Sequence, residues 1–295
     1  MKKQITPCLW FAKEAEEAAS FYCSLFSISK IESISHYGKE GFEVHGQKEG
    51  TVLTVGFRLN GQPFTTLNGG PIFKFNPSIS FYVVCGTEKE VDFLWENLSQ
   101  GGTVMMPLNA YDWSKKYGWL NDRYGLSWQI SLDKIENTGQ KFSPALLFMG
   151  ELHAKAEEAV NFYTSVFPGS SIKGILRYGK DENETEGTVK HAQFTLNNQT
   201  YMIMGNSQPN DFNFNESISF QVFCGNQDEI DYYWNKLSEG GSEGQCGWLK
   251  DRYSVSWQII PEILEELMSN PEKAGSVMKA FLPMKKFDIE KLKQA

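Results

Sequence analysis

The chain has 295 residues, 41% of them hydrophobic and 14% aromatic, enough for two domains that each bury a core. Twenty-eight basic residues stand against 36 acidic ones, a formal net charge of −8, which excludes the clustered basic surface that nucleic acid requires. No run approaches the ~20 apolar residues of a membrane-spanning helix. The opening MKKQITPCLW lacks a hydrophobic signal core, and the five cysteines form no C-x-x-C pair, so the expectation is a cytoplasmic protein in a reducing compartment.

Taken in chain order, ITPCLWF reads as an apolar strand. Ala15, Ala18, Tyr22 and Phe26 then recur at helical spacing. SKIESISHY, TVLTVGFRLN and PFTTLN follow as strands, with a turn at NGQP between the last two. PSISFYVVC opens a second set. Val91, Leu94, Trp95 and Leu98 mark one face of a helix that stops at Gly101-Gly102, and TVMMPL, YGWLND and LSWQISL close the set. Residues 132–141 form a polar linker. The whole pattern then repeats. Beyond Pro261, apolar residues at Ile263, Leu264, Leu267 and Met268, and again at Val277, Met278 and Phe281, predict helices of a packed tail separated at Asn270-Pro271.

The repetition is nearly literal. GWLNDRYGLSWQI from Gly118 returns from Gly247 with ten of thirteen positions identical. FNPSISF from Phe75 returns as FNESISF from Phe214, and EEAASFYCSLF from Glu16 returns as EEAVNFYTSVF from Glu157. Each copy has the size of a domain, well beyond a solenoid unit. The boundaries read as domain 1 over 1–131, linker 132–141, domain 2 over 142–260 and tail 261–295. The second copy gains four residues near Met149 to Lys155 and loses ten ahead of Gly247, so one of its strands is expected to be shortened.

With two β-α-β-β-β modules in each copy, the chain resembles the vicinal oxygen chelate superfamily, the glyoxalase and bleomycin-resistance fold. ITPCLWF, AEEAASFY, EEAVNFY, VKHAQFTL and the two GWL…SWQI segments are similar to its PhnB-like branch, whose family name is 3-demethylubiquinone-9 3-methyltransferase. The resemblance implies an α+β protein of tandem domains, each with a cup-shaped mixed sheet that holds a ligand. It also implies that metal-dependent members place His, Glu or Gln inward from four strands. Those places fall near Pro7 and Pro144, at Ser78 and Ser217, near Thr66 to Asn68 and Ile203 to Gly205, and at Gln129 and Gln258. That donor set is poor for a divalent ion, so no metal and no cofactor are expected.

The candidate residues follow from the strand pattern. In SWQI, neighbouring residues point to opposite faces. By analogy with the inward glutamate of the superfamily's last strand, the resemblance implies that Trp128 and Trp257 take the helix side and Gln129 and Gln258 the cup, with backbone pairing at a sheet edge as the other reading of the glutamines. His191 lies on a strand where the first copy has Thr54. It reads either as a hydrogen-bonded strand histidine or as the catalytic candidate for proton transfer. His36, His45 and His153 read as solvated. Trp10, Trp113 and Tyr111 occur only in the first copy and are expected to line its cup, with His191 and Gln258 at the centre of the other. Asp122 and Asp251 read as turn residues. The expected function is binding of a small organic molecule by a monomer with an internal pseudo-dimer or by a homodimer, without nucleic acid or membrane as partner. The alternatives are a lyase, isomerase or dioxygenase of the superfamily and, by family name only, methyl transfer.

Overall fold

The computed structural model describes residues 4–270 and 272–295. The first module is β1 (Thr6–Phe11), α1 (Ala15–Leu25), β2 (Lys30–His36), a short α2 (Phe42–His45), β3 (Val52–Leu59) and β4 (Gln62–Asn68). The second is β5 (Ile79–Cys85), α3 (Glu88–Ser99), β6 (Thr103–Tyr111), β7 (Ser114–Asn121) and β8 (Ser127–Leu132), followed by a helical turn α4 (Ile135–Thr138) in the polar linker. The third module is β9 (Phe142–Met149), a 3-10 turn at Gly150–Lys155, α5 (Ala156–Val166), β10 (Ser171–Arg177), β11 (Val189–Leu196) and β12 (Gln199–Asn206). The fourth is β13 (Ile218–Cys224), α6 (Gln227–Ser238), β14 (Ser242–Glu243), β15 (Trp248–Lys250) and β16 (Ser256–Pro261). Helices α7 (Ile263–Ser269), α8 (Ala274–Phe281) and α9 (Ile289–Lys293) form the tail. Its break falls where proline predicts it, although Pro271 itself lies outside the described residues.

Local chemistry sets these boundaries. In α1 the buried positions are Ala15, Ala18, Ala19 and Tyr22, one apolar stripe of a helix. The side chains of Thr87 and Asn226 accept hydrogen bonds from the Glu90 and Glu229 amides, at 3.2 and 2.9 Å, and so start α3 and α6 alike. Strands β5 and β13 are buried along almost their whole length, as central strands are. Among the described residues no helix is long and apolar enough to cross a membrane.

Among the described residues the strands form two eight-stranded mixed sheets, and neither sheet is built from one repeat. One runs β14-β15-β16-β13-β1-β4-β3-β2 and the other β10-β11-β12-β9-β5-β8-β7-β6. The joints are antiparallel: β1 pairs with β13, placing Cys8 opposite Ser219, and β5 pairs with β9, placing Ser80 opposite Ala145. The compact units follow the sheets. One takes the residues up to Lys74 together with Asn215–Ala295, and the other is Phe75–Phe214. The repeats 1–131 and 142–260 are thus units of sequence, and each compact unit takes one module from each. A module cannot cover both edges of its first strand by itself, so β1 and β5 each bond an internal partner on one side and a strand of the other repeat on the other.

The deletion ahead of Gly247 has its expected effect: β14 keeps two residues where β6 has nine, and β15 keeps three where β7 has eight. The tail fills the gap. The amides of Cys246 and Gly247 donate to the Met284 and Lys285 carbonyls, both at 2.7 Å, where the matching stretch of β7 meets β6. A Cβ on Gly247 would come within 2.5 Å of the Phe287 ring, and one on Gly118 within 2.3 Å of the Trp95 ring, so an aromatic residue closes over each glycine. Gln227 fastens this segment, donating to the Phe287 carbonyl and accepting from the Ile289 amide, both at 3.0 Å. Phe287 is 2% exposed. Phe287→Ala is therefore expected to destabilise the chain by about 3 kcal/mol, the usual cost of emptying a buried phenylalanine site. Urea unfolding measures it, and an unchanged midpoint would mean that the tail is not part of that unit's core.

Candidate ligand-binding face

The site is clearest in the Phe75–Phe214 unit. Cross-strand register places Ser127, Gln129 and Ser131 of β8 on one face with Ser80, Tyr82 and Val84 of β5, and Trp128 on the other face, where its ring packs against Phe81. Gln129 is thus inward and Trp128 is core, on opposite faces as the alternation in SWQI predicts and in the sense the family resemblance implies. The same face continues through Tyr117 and Trp119 of β7, Ala145 and Leu147 of β9, Met202 and Met204 of β12, and His191 of β11. It is concave. Gln129 and Met204 stand three strands apart, roughly 14 Å on a flat sheet at the usual spacing. Yet Gln129 Nε2 lies 3.8 Å from Met204 Sδ. His191 and Met204 are directly paired, so Met204 adjoins both polar groups.

Hydrogen bonds fix the Gln129 carboxamide. The Tyr117 hydroxyl donates to Oε1 at 2.8 Å, and Nε2 donates to Ser80 Oγ at 2.8 Å. Burial pushes the Tyr117 pKa up, so the phenol remains a donor at neutral pH. Among the described residues the second N–H of Gln129 meets only the thioether of Met204, a weak acceptor. Among the described residues nothing hydrogen-bonds the His191 ring. Burial lowers its pKa below the ordinary imidazole value of 6.5, which leaves it neutral at pH 7. Tyr111 and Trp113 stack at 5.0 Å and both meet the Tyr117 ring edge-on, at 5.7 and 5.8 Å. Trp113 remains 64% exposed, an aromatic rim beside the oriented amide.

The other concave face, on the sheet of β1 and β16, satisfies itself. Thr65 donates to Gln221 Oε1 at 2.9 Å, Gln221 to Gln258 Oε1 at 3.3 Å, and Gln258 to Ser219 Oγ at 2.8 Å. Trp10 packs edge-on against Phe73 at 5.0 Å and Trp248 at 5.9 Å, and its indole donates to the Gly70 carbonyl at 2.8 Å. A Cβ on Gly69 would fall 2.1 Å from that indole, so the close approach needs glycine. At the position matching His191, Thr54 is bonded to Ser35 at 2.6 Å.

Exchange of modules corrects how the candidates group. Trp10 shares a face with Gln258, whereas Tyr111 and Trp113 share a face with Gln129 and His191. The expected centre of His191 with Gln258 does not exist, because β11 and β16 belong to different sheets. The opening-strand prolines also point away from the cups: Pro7 pairs with Phe220 and Pro144 with Phe81 on the helix side, and the inward neighbours are Cys8 and Ala145. His153 is not solvated. It is 6% exposed, with Nε2 3.1 Å from Thr188 Oγ1 and 3.6 Å from Glu184 Oε2, and it pins the loop ahead of β11. His45 packs on Tyr37 at 4.4 Å. Asp122 and Asp251 are the predicted turn residues, and both also bind a core indole: Trp128 at 2.9 Å and Trp257 at 2.8 Å. Sequence reasoning missed Tyr117, Ser80 and Met204. The signal for Tyr117 was its replacement by Cys246 in the second copy.

The donor set does not fit the divalent ion that metal-dependent relatives of this fold carry. Among the described residues no three His, Cys, Asp or Glu side chains cluster as metal ligands. Inward-facing groups are one imidazole, carboxamides and hydroxyls on one face, and on the other a Cys8 thiol that burial pushes up to about 11, hence protonated.

The fold is that of the glyoxalase and dioxygenase proteins of the vicinal oxygen chelate superfamily. Glyoxalase I from Zea mays matches with a TM-score of 0.58 over 92% of this chain and 97% of its own, at 9% identity. A putative dioxygenase from Bacillus subtilis matches at 0.50 over 98% and 94%, at 11% identity. A family model described as 3-demethylubiquinone-9 3-methyltransferase matches residues 3–131 and 140–260, and the chain belongs to that PhnB-like family. A Bacillus cereus protein described as a putative 3-demethylubiquinone-9 3-methyltransferase, PhnB protein, is 47% identical over 44% of this chain and 100% of its own, with a TM-score of 0.41. No curated protein matches the chain.

Depression of the His191 pKa has a pH signature. The neutral form is favoured in the folded state, so the stability that depends on it is full above about pH 6.5, the unfolded value, and is lost as pH falls through the lower folded value. Wild-type protein should therefore lose more stability than His191→Gln on going from pH 7.5 to pH 5. Parallel urea titrations giving a pH-independent difference would contradict the burial of this imidazole.

Proposed function

We propose that the chain binds a small organic molecule on the concave face of the Phe75–Phe214 unit, and that it does so without a divalent metal. The observation that carries this reading is the pair of polar groups held ready there. Gln129 is oriented by Tyr117 and Ser80 with one N–H directed at sulfur, and His191 is neutral and without a hydrogen-bond partner among the described residues. Buried polar groups are normally paired, and an apolar concavity with a few such anchors is the usual form of a ligand site. The opposite face, where Thr65, Gln221, Gln258 and Ser219 bond one another, is read as structural. The tandem chain supplies within one molecule the pair of modules for each cup, and a monomer is the proposed state.

A second reading is favoured by His191 alone. A neutral, unpartnered imidazole beside a ligand suits proton abstraction, which would make the protein a lyase or isomerase. Fragment screening by NMR on the full chain tests the binding reading. Hits should move the His191 ring and Met204 methyl signals, and His191→Ala or Tyr117→Phe should weaken the hits tenfold or more, the loss of about 1.4 kcal/mol. Hits confined to the Trp10 and Gln258 face, or about one zinc, nickel or iron per chain in protein purified from cells, would overturn it.

A further inference from the structure

The C-terminal tail does more than cover a strand edge. In the sheet that holds Trp10 and Gln258, β3 and β15 lie five strand spacings apart, roughly 24 Å on a flat sheet. One residue of the tail nevertheless touches the connection beside each. The Leu282 Cδ1 methyl stands 2.9 Å from the point a Cβ would occupy on Gly41, in the connection from β2 to β3. The Leu282 carbonyl lies 3.8 Å from Cys246 Sγ, in the connection from β14 to β15. The sheet therefore curls until its two rims nearly meet, and the end of α8 fills the gap between them. The inside of the curl is the Trp10 face, because Trp10 reaches Trp248 of β15 past the two intervening strands β13 and β16. Helix α8 and Leu282 thus stand across the mouth of that cup.

The tail is attached unevenly. Beyond Leu282 it is fixed by the Cys246 and Gly247 amides, by a Lys286–Asp231 ion pair at 2.6 Å and by Gln227, which holds Phe287 and Ile289. Helix α8 meets the rim through weaker contacts. Lys279 Nζ reaches Glu40 Oε1 at 3.8 Å, and a Cβ on Gly275 would fall 3.0 Å from the same carboxylate. The Cys246 thiol, a weak donor, lies 3.9 and 3.8 Å from the Phe281 and Leu282 carbonyls. Among the described residues no side chain caps the N-terminus of α8. Its Val277 and Met278 are buried, so the closed position is the resting one. Segments with few anchoring contacts open locally before the sheet beneath them does. We infer that α8 is a lid: Ala274–Leu282 swings off the rim while Met284–Lys293 stays docked, and the Trp10–Gln258 cup admits small molecules when the lid is off. While it is closed, Thr65, Gln221, Gln258 and Ser219 satisfy one another beneath it, as covered polar groups must. The lid goes beyond the binding reading of the Phe75–Phe214 face and does not rest on it.

The test uses the full chain and timed labelling with iodoacetamide, read at each cysteine by peptide mapping. Burial pushes the thiols of Cys246 at the rim and Cys8 inside the cup up to about 11, so both react slowly while covered. Lys279 is 72% exposed, so Lys279→Glu spares the core and turns its attraction to Glu40 into repulsion. Exposed ion pairs shift such an equilibrium by a few-fold, so Cys246 and Cys8 should label at least about threefold faster in this variant. Cys224, buried on the helix side of β13, should not change. The exchanged pair Glu40→Lys/Lys279→Glu should restore the original rates. Hydrogen exchange on the unmodified chain adds a check that needs no variant: the α8 amides should exchange faster than those of Cys246, Gly247 and β13. Unchanged labelling of Cys246 or Cys8 in Lys279→Glu would overturn the lid. So would Cys224 labelling in step with them, or α8 amides as slow as those of β13, since either would make the tail inseparable from the sheet.

Discussion

Everything in this protein depends on two antiparallel strand joints, β1 with β13 and β5 with β9. Each module buries its helices on one side of a four-stranded sheet but leaves its first strand with an unpaired edge, and exposed edges of apolar strands are a liability. Joining first strands in antiparallel fashion removes both edges at once and doubles the sheet. The chain does this twice, each time between repeats, so a sequence duplicated in series becomes two sheets assembled crosswise.

That crossing decides what can act together. Cup walls are shared property of the two repeats: β8 and β7 of the first supply Gln129 and Tyr117, and β11 and β12 of the second supply His191 and Met204. Divergence between the repeats therefore shows up as divergence between the two faces. One face has closed its polar groups into the chain of Thr65, Gln221, Gln258 and Ser219. The other keeps an oriented carboxamide, an imidazole with no hydrogen-bond partner among the described residues, and an exposed aromatic rim. The deletion that shortened β14 falls on the closed face, and the tail covers the strand edge left by the deletion through Met284, Lys285 and Phe287.

Much of this was legible in the residues. Period-two alternation in SWQI put each glutamine and its tryptophan on opposite faces, the family resemblance set Gln129 and Gln258 inward, and the spacing of Ala15, Ala18 and Tyr22 gave a helix. The missing ten residues gave the shortened strand. What the residues could not reveal is which strand of one repeat meets which strand of the other. β5 and β13 are buried on both faces and carry nearly the same letters, so their patterns admit either partner. Hence Trp113 was grouped with Trp10, and His191 with Gln258. His153 read as solvated because its partners, Thr188 and Glu184, lie far along the chain in the loop ahead of β11. Tyr117 went unremarked because its role rests on a contact with Gln129 that only the pairing of β7 with β8 creates.

The central claim, that each face is built across repeats, is open to one direct measurement. Ser80 and Ala145 are opposite residues of β5 and β9, and opposite residues in such a ladder have Cα atoms ~4.5–5.5 Å apart, within the range a disulfide spans. In the Ser80→Cys/Ala145→Cys variant, mild oxidation followed by peptide mapping should show one intramolecular disulfide joining the two introduced thiols in a monomeric, folded chain. A folded monomer in which both introduced thiols stay free, or in which each pairs with a cysteine of its own repeat, would contradict the crosswise assembly and the binding face derived from it.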